Sequence, residues 1–410
     1  MSLKRVVITG VGGVSPLGPD IPTMLAAMAA GRTSVRRMDE WMTAGYQNLR
    51  SWVAAPAVLQ NEKKIPREAR RSMGRMSIFA AQAAEQAFAD AGITAGDRAS
   101  GRFGCIIGST MGSSASINEM FESFLPSKDF ALITSMRFFQ CMPNTVVMNI
   151  ANCYGINGWA MAPSAACASA LQAIGAAYDL VRLGRQDAVL CGGAEELHPT
   201  VTGSFDVLFA TSTNFNDRPS CTPRPFDRDR DGLVCGEGAG LVVLEEYEHA
   251  RRRGAKIYAE ITGYSTCASG LHVSQSNGEA MARCMREVLA EAKIEAGTVD
   301  FINAHATGTP QGDKEEAEAL AAVFGPQIPV NSLKGYLGHT LGASGALELI
   351  AALSMMERGV LLPTLNLENV ADDCGGVYHL QQPIEKNVNV MVKNSFGFGG
   401  INTAMVCRKI

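Results

Sequence analysis

The sequence predicts an α/β protein built from two related halves. Short runs rich in valine and isoleucine end in glycine, serine, threonine or asparagine, and stretches with the period of a helix follow them. With 410 residues, of which 47% are hydrophobic and 19% charged, the chain is long enough to bury a large core. No proline- or serine-rich linker divides it, so we expect the halves to form one compact body.

The candidate elements alternate along the chain, as expected where buried strands lead into helices. Short, nearly continuous apolar runs predict strands over 6–10, 103–108, 188–192, 240–244, 258–264, 301–304 and 403–407. Helical periodicity predicts helices over 76–91, 167–183, 279–292, 313–324 and 342–357. The segments 103–110 and 300–307 both run from an apolar strand into a small polar loop, which indicates a duplication. We therefore predict an N-terminal half over 1–253 and a C-terminal half over 254–410.

Charge, hydropathy and cysteine content argue against several classes of protein. A formal net charge of -4 argues against a general nucleic-acid binder, which needs a basic field. No run is long and uncharged enough to span a bilayer, and the N-terminal run lacks the apolar region of a signal peptide, so we expect a cytoplasmic protein. The 11 cysteines show no C-x-x-C pair and no Cys/His cluster, which predicts free thiols and no structural metal site.

Cys167 is the leading candidate for a nucleophile. The stretch 162–171 passes from small residues into a helical pattern, which places Cys167 at a predicted helix start. The helix dipole and unpaired N–H groups favour an anion there, so we expect the thiol pKa to be lowered. The alternative is that Cys167 is a small buried hydrophobe, as free cysteines usually are.

Two loop histidines are candidates for substrate contact. His305 follows the predicted strand at 301–304, and His339 precedes the glycine- and alanine-rich helix that contains Glu348. Lys334 lies in the same loop as His339. A purely structural role is the alternative for either histidine alone, but two of 6 histidines in similar loops favour a shared function.

The segment 394–402 near the C-terminus is rich in glycine. Its glycines permit positive φ and close backbone approach, so N–H groups there could form one side of an oxyanion hole. The alternative is an ordinary glycine-rich hairpin. A dinucleotide site is not predicted, because the full fingerprint and its acidic partner are missing.

Five motifs resemble, in their order, those of elongating β-ketoacyl-[acyl carrier protein] synthases and are close to synthase II. They are Ser164-Ala-Ala-Cys167-Ala-Ser, the run from Arg224 to Gly240, the run from His305 to Asp313, Lys334 with Gly338-His339, and the run from Asn394 to Gly400. The similarity spans nearly the whole chain. It implies a thiolase-like fold, in which two pseudo-symmetric halves each carry a five-stranded mixed sheet and the layers follow the order α-β-α-β-α.

The resemblance also implies catalytic roles. Cys167 would accept an acyl group from a carrier-protein thioester, and the backbone N–H groups of Cys167 and Phe398 would hold the oxyanion. Phe398 also matches an aromatic gate between acylation and extension. His305 and His339, as neutral imidazoles, would stabilise the enolate formed when a malonyl thioester loses its carboxylate. Lys334 would organise this site electrostatically, with Glu348 as its supporting carboxylate.

Further positions match residues that the family uses to bind its substrate. Thr307 and Thr309 match positions that hydrogen-bond the phosphopantetheine arm, and Ser274 would do likewise. Met111 and Cys141 match positions where the family lines its acyl pocket. A small cysteine at Cys141, in place of a bulky aromatic residue, predicts that the pocket admits a longer or differently shaped chain. The resemblance implies no tightly bound cofactor, because the substrates are carried on the phosphopantetheine of acyl carrier protein.

The segment 63–75 concentrates six basic residues in a chain of negative net charge. They are Lys63, Lys64, Arg67, Arg70, Arg71 and Arg75. A solvated helix face is one interpretation, and docking of an acidic carrier protein by electrostatic steering is the other, which the resemblance favours. The family also implies a homodimer, with a heterodimer containing a chain-length factor as the alternative.

The sequence bears on four rival functions. A thiolase or a starter-type synthase pairs its nucleophile with a second cysteine, or with one histidine and an asparagine, so two motif histidines argue against both. A non-catalytic chain-length factor lacks the nucleophile, whereas Cys167 is present. Fatty-acid elongation and a type II polyketide or aryl-polyene pathway use the same residues; the run 224–240 favours the former, while Ala165-Ala166 and the region of Cys141 keep the latter open.

Overall fold

The computed structural model describes residues 3–273 and 275–410. Its strands are β1 Val6–Val14, β2 Arg36–Arg37, β3 Val53–Ala54, β4 Phe103–Gly108, β5 Ala160–Met161, β6 Ala188–Glu195, β7 Gly238–Glu246, β8 Ala259–Ala268, β9 Phe301–Asn303, β10 Pro329–Asn331, β11 Val360–Leu361, β12 Tyr378–His379, β13 Ile384–Glu385, β14 Val390–Gly397 and β15 Ile401–Arg408. Its α-helices are α1 Ile21–Ala29, α2 Asp39–Thr43, α3 Arg67–Arg70, α4 Arg75–Ala91, α5 Ala95–Arg98, α6 Ser114–Phe124, α7 Ser135–Cys141, α8 Thr145–Tyr154, α9 Ser169–Arg182, α10 Pro199–Asp206, α11 Tyr247–Arg252, α12 Gly278–Ala292, α13 Pro310–Phe324, α14 Lys334–Leu337 and α15 Ser344–Arg358.

Two sets of five strands repeat one pairing pattern. In the first set β5, β4 and β6 run parallel, and β7 and β1 follow as antiparallel neighbours. In the second set β10, β9 and β14 run parallel, and β15 and β8 follow as antiparallel neighbours. This repetition is the architecture that the two related sequence segments predicted.

The two sets are hydrogen-bonded into one sheet of eleven strands, with β12 at the far edge. The predicted five-stranded mixed sheet of each half is confirmed, and the joining of the two sets is a feature that the prediction did not include. The two sets join where β1 and β8 pair antiparallel over only three residues, from Val6 opposite Ile261 to Ile8 opposite Ala259. So short a contact leaves the rest of the two sets free to diverge and enclose helices.

The hydrophobic core shows the layers. Helices α4 and α8 cover one face of the first strand set, and α12 and α13 cover one face of the second. Helices α9 and α15 pack against strands of both sets in the central cluster. Strand residues alternate between these clusters; in β4, Cys105 and Ile107 face α4 while Ile106 faces the central helices. The predicted α-β-α-β-α order is confirmed.

All seven predicted strands and all five predicted helices are present; β4 keeps its predicted bounds, and the ends of the other elements shift. Strand β1 continues to Val14 instead of ending at Gly10, where a glycine suggested a turn. The glycine has another cause: a Cβ on Gly10 would lie 2.6 Å from the backbone oxygen of Ala87 in α4. A close helix contact, and not a chain reversal, requires glycine at this position.

Several elements were not predicted, among them helices α1, α6, α7 and α8 and strand β14. Helix α6 was missed although Ile117, Met120, Phe121 and Phe124 recur with a helical period. The structure leaves these four side chains partly or fully exposed, and α7 is short and has no buried residue. Strand β14 was missed because its polar residues, including Lys393 and Asn394, are fully buried. Among the described residues, no helix is long and apolar enough to cross a membrane.

Candidate active site

Cys167 lies on a sharp turn that precedes helix α9. Ala166, the residue before it, has a left-handed backbone with φ of +48°, which costs a residue other than glycine about 1–2 kcal/mol. Two hydroxyl groups hold this turn, because Thr110 Oγ1 and Ser169 Oγ donate to the Ala166 carbonyl oxygen at 2.9 and 2.6 Å. The turn presents Cys167 two residues before the helix begins, with only 4% of the residue exposed.

Burial raises the pKa of the Cys167 thiol to about 12. The positive charge of Lys334 acts in the opposite direction, as do hydrogen bonds from the backbone N–H groups of Cys167 and Phe398. The expectation of a lowered pKa at a helix start is therefore wrong, because the loss of water around the sulfur outweighs these favourable interactions. The two N–H groups face the sulfur. The oxyanion of an acyl thioester would form on the carbonyl oxygen of the acyl group, next to this sulfur.

His305 and His339 lie beside the sulfur. One ring nitrogen of each and Cys167 Sγ all lie within 4.8 Å of one another, and the ring centroids are 5.3 Å apart. Burial lowers the pKa of both imidazoles well below the ordinary value, and the charges of Lys334 and Lys393 lower it further. Both rings are therefore neutral near pH 7. Within the described part of the chain, His305 Nδ1 and both ring nitrogens of His339 have no hydrogen-bond partner, so they are available to a substrate.

The same trio has the spacing of a metal site. Among the described residues it is the one group of His, Cys, Asp and Glu side chains whose ligand atoms lie close enough to hold a metal ion. A thiolate and two imidazoles would suit zinc. A bound metal would take up the sulfur electron pair that a nucleophile needs, so the trio would serve only one of these two roles at a time.

A fully buried charge network lies behind the two histidines. Glu348, on α15, accepts a hydrogen bond from Lys334 Nζ at 2.5 Å and another from Lys393 Nζ at 2.7 Å. Lys334 Nζ also donates to the His305 carbonyl oxygen at 2.9 Å, and Lys393 Nζ donates to that of Asn394 at 2.6 Å. The sequence pointed to Lys334 and Glu348 but not to Lys393, because no pattern marks a lysine within a strand as buried.

Two buried carboxylates fix the loop that carries His305. Glu316 accepts hydrogen bonds from the backbone N–H groups of His305 and the next residue at 2.9 and 2.6 Å. Asp313, whose pKa is raised to about 7 by burial, accepts from the following two N–H groups at 2.9 and 3.1 Å. Sequence reasoning gave neither residue a role. The available signal was a pair of acidic residues early in the helix that directly follows a histidine loop.

The glycine-rich segment forms the turn between β14 and β15 and closes over the nucleophile. Ser395 Oγ donates to the Cys167 carbonyl oxygen at 3.1 Å. A Cβ on Gly397 would lie 2.9 Å from the carbonyl oxygen two residues before Cys167, so the approach requires glycine. The ring of Phe398 stacks on that of Phe205 with 5.7 Å between centroids. The segment is both a hairpin and a wall of the site, so the two interpretations of its sequence are compatible.

A cleft of about 630 Å³ reaches Cys167 and both histidines from the surface. Thr307 and Thr309 line it, and their hydroxyl oxygens are 3.1 Å apart. Ser274 lies outside the described residues, although residues 275–277, which follow it, line the cleft. The position of the two threonines suits contact with a narrow polar chain that enters from solvent.

Met111 and Cys141 do not line this cleft. Met111 lies in the turn after strand β4, and its backbone N–H donates to Glu195 at 3.2 Å. Cys141 is half-buried at the end of α7. Glu195, whose pKa burial raises to about 7, also accepts from the N–H groups of Thr110 and Gly342 at 2.7 and 3.0 Å. This carboxylate, which the sequence did not reveal, therefore connects the turn after β4, which carries Thr110 and Met111, to the segment that follows His339.

The predicted basic surface is narrower than the sequence suggested. Arg75 donates to the buried carboxylate of Glu237 at 2.5 and 2.8 Å, and Arg70 lies 3.5 Å from Glu62. Their charges are paired within the protein. The remaining four basic residues of the segment are exposed: Lys63, Lys64, Arg67 and Arg71.

Comparison with known proteins extends over the whole chain. Residues 3–250 match the family described as Beta-ketoacyl synthase, N-terminal domain, and residues 258–368 match Beta-ketoacyl synthase, C-terminal domain. The 3-oxoacyl-[acyl-carrier-protein] synthase 1 of Haemophilus influenzae is 35% identical over 409 residues, covering 99% of each chain. A beta-ketoacyl synthase crystal structure from Burkholderia phymatum is 43% identical with a TM-score of 0.94, covering 99% of this chain and 100% of that one. A structure of a type II PKS acyl-carrier protein in complex with its ketosynthase bound to the hexaketide is 32% identical with a TM-score of 0.91, covering 100% of both chains.

Proposed function

Because the chain belongs to the β-ketoacyl synthase family, we propose that it is a 3-oxoacyl-[acyl carrier protein] synthase that carries its acyl chain on Cys167. One observation carries this assignment: Cys167 Sγ and one ring nitrogen of His305 and of His339 lie within 4.8 Å of one another. Acyl transfer and condensation need a nucleophile, an oxyanion site and donors for an enolate. The trio and the N–H groups of Cys167 and Phe398 supply all three.

In the first half-reaction Cys167 Sγ attacks the carbonyl carbon of an acyl thioester. The N–H groups of Cys167 and Phe398 hold the oxyanion, and the loss of one such donor typically costs about 3 kcal/mol. Because the pKa of the resting thiol is raised, proton loss must accompany attack, and a neutral imidazole beside the sulfur is the base that the geometry offers. The carbon–sulfur bond to the carrier arm then breaks, and its thiolate leaves and is protonated.

In the second half-reaction a malonyl thioester loses carbon dioxide. The bond between its carboxylate carbon and its α-carbon breaks, and the electron pair passes into an enolate whose oxygen accepts N–H bonds from His305 and His339. The α-carbon attacks the acyl carbonyl carbon, and the bond to Cys167 Sγ breaks with the electron pair on sulfur. The sulfur regains a proton, which restores the thiol. Lys334 and Glu348 hold the position of the first histidine through its carbonyl oxygen.

The substrates reach Cys167 on the phosphopantetheine arm of an acyl carrier protein. Thr307 and Thr309 would hydrogen-bond this arm, which agrees with their position on the cleft. Ser274 is proposed for the same contact. Met111 and Cys141 are proposed to contact the acyl chain beyond Cys167, on the side away from the cleft.

The carrier protein would dock on the exposed part of the basic segment. Lys63, Lys64, Arg67 and Arg71 are unobstructed, whereas the charge of Arg75 is taken up by an internal carboxylate. An acidic partner would be steered to these side chains, which affects association rate more than final affinity. The solved complex of a carrier protein with its ketosynthase supports a partner of this kind.

A second copy of the chain would cover the exposed edge of the sheet. Strand β5 lies at one end of the strand order and pairs only with β4 in the described structure. Trp159 and Met161, beside and on this strand, are exposed, and the segment 111–138 exposes further large apolar side chains: Met111, Phe121, Leu125, Phe130, Leu132 and Phe138. An edge strand with such surroundings is a site for association. Light scattering should give twice the chain mass; a monomer that dimerises only with a co-expressed chain-length factor would show the heterodimer instead.

Fatty-acid elongation is the proposed pathway, and a type II polyketide pathway is the second candidate because the matches include both kinds of enzyme. All 11 cysteines are free, which agrees with the reducing conditions of the cytoplasm. The test is condensation of malonyl-carrier protein with saturated acyl thioesters of graded length and with a poly-β-keto thioester, with products identified by mass spectrometry. Saturated 3-oxoacyl products support the fatty-acid assignment; extension of only the poly-β-keto chain supports the polyketide one, and no product overturns both.

A further inference from the structure

Lys393 is a second fully buried lysine beside the proposed reaction centre. Successive residues of a strand point to opposite faces, so Lys393 and Ser395 on β14 share one face. Ser395 touches the carbonyl oxygen of Cys167, at 3.1 Å. Lys393 reaches back from the same face to Glu348 at 2.7 Å and to the Asn394 carbonyl oxygen at 2.6 Å.

Lys393 has no carboxylate of its own as a counter-charge. Glu348 is shared between Lys393 and Lys334, so one hydrogen-bonded carboxylate serves two buried ammonium groups. Glu316 is the other carboxylate that acts on Lys393, and it is already bonded to backbone N–H groups of the His305 loop. Burying a charge without a full counter-charge is costly. An anion that enters the site would offset that cost.

We propose that Lys393 is a positioning residue of the condensation half-reaction. Together with Lys334 it fixes the position of Glu348, and its positive charge stabilises the negative charge of the malonyl thioester and of the enolate. This inference rests on the proposed function. The charge is conserved through the step, because the carboxylate leaves as neutral carbon dioxide and its electron pair remains on the enolate. Acylation of Cys167 brings no charged acyl group, so Lys393 should matter far less there.

The test compares the two half-reactions of Lys393→Met, with Lys409→Met as an exposed control near the end of the same hairpin. Acyl transfer to Cys167 should stay within about threefold of wild type, while kcat for malonyl decarboxylation and condensation falls at least about tenfold. The acidic limb of the condensation pH profile should move to higher pH, because the lost positive charge lies close to His305 and His339. Lys409→Met should change none of these quantities.

Condensation within about twofold of wild type, an unmoved acidic limb, or equal loss in both half-reactions would overturn the proposal. If Lys393→Met is unfolded, Lys393→Ala with added ethylammonium tests the same point, since the truncation leaves room for a small cation. Recovery of condensation supports the proposal, and no recovery in the folded variant overturns it. A wild-type enzyme that acylates but never condenses would instead contradict the proposed function.

Discussion

The carboxylate of Glu348 should be the most costly single charge to remove from this protein. It accepts hydrogen bonds from Lys334 at 2.5 Å and from Lys393 at 2.7 Å, and at most 1% of any of these side chains is exposed. Glu348→Gln keeps the shape but leaves two buried ammonium groups without a hydrogen-bonded carboxylate, a change that typically costs about 3–5 kcal/mol. A chain of 410 residues has an unfolding entropy of about 0.9 kcal/mol per kelvin. The melting midpoint should therefore fall by about 3–6 °C.

Differential scanning calorimetry measures this change, with Glu357→Gln as the control. Glu357 lies on the same helix and pairs with Lys256 at 3.2 Å, but both side chains are about half exposed, so its loss should cost under about 1 kcal/mol. Adding Lys393→Met to Glu348→Gln removes an unpaired cation, so the second change should destabilise the wild type but stabilise the variant. Equal melting of Glu348→Gln and the control, or the same cost of Lys393→Met in both backgrounds, would refute the reasoning.

Three other outcomes follow from the burial and charge of the site. Because its pKa is raised to about 12, the Cys167 thiol should react with iodoacetamide ever faster as the pH rises through about 10, measured by intact mass. His305 and His339 have lowered pKa values in the folded protein, so the unfolded chain binds more protons below about pH 6.5. The free energy of unfolding should therefore decrease as the pH is lowered below that value, which urea unfolding measures. Reversing the charges of Arg67 and Arg71 should raise the KM for acyl carrier protein about tenfold at low salt and less at high salt, in steady-state kinetics.

Each of these outcomes has a clear opposite. Alkylation that levels off near the ordinary thiol pKa would show that the sulfur is not desolvated. Stability that is flat between about pH 7 and 5.5 would show that the histidines take up protons while folded. A KM that is unchanged, or that rises equally when the exposed Arg251 on α11 is reversed, would remove the basic segment from the docking surface.

The central strands and helices were predictable because burial imposes a pattern on their sequences. Strand β4 is apolar throughout and matches its predicted bounds, and α12 alternates buried and exposed faces. The joining of β1 to β8 was not predictable, because it depends on three residue pairs between strands far apart in the chain. The glycines of β1 misled the prediction of its end, since a glycine that admits a neighbouring helix has the same sequence signal as one that ends a strand.

The chemistry of the site was only partly readable from the sequence. Loop position brought out Cys167 and both histidines, and the structure places them together. Lys393 and Glu195 act through bonds to distant segments, which no local pattern reports. Glu316 bonds to the loop just before its own helix, so its position early in that helix was a signal that the prediction did not use. The sign of the thiol pKa shift was also beyond the sequence, because it depends on how much water the folded chain removes from the sulfur.

Acylation of Cys167 tests the central claim most directly. Wild type and Cys167→Ala are incubated with acyl thioesters of acyl carrier protein, and the intact masses are recorded with peptide mapping of the modified residue. The account predicts that wild type gains the mass of one acyl group on Cys167 and that the variant, folded and of the same oligomeric state, gains none. Acylation that persists in the variant, or a folded wild-type protein that no chain acylates, would contradict it.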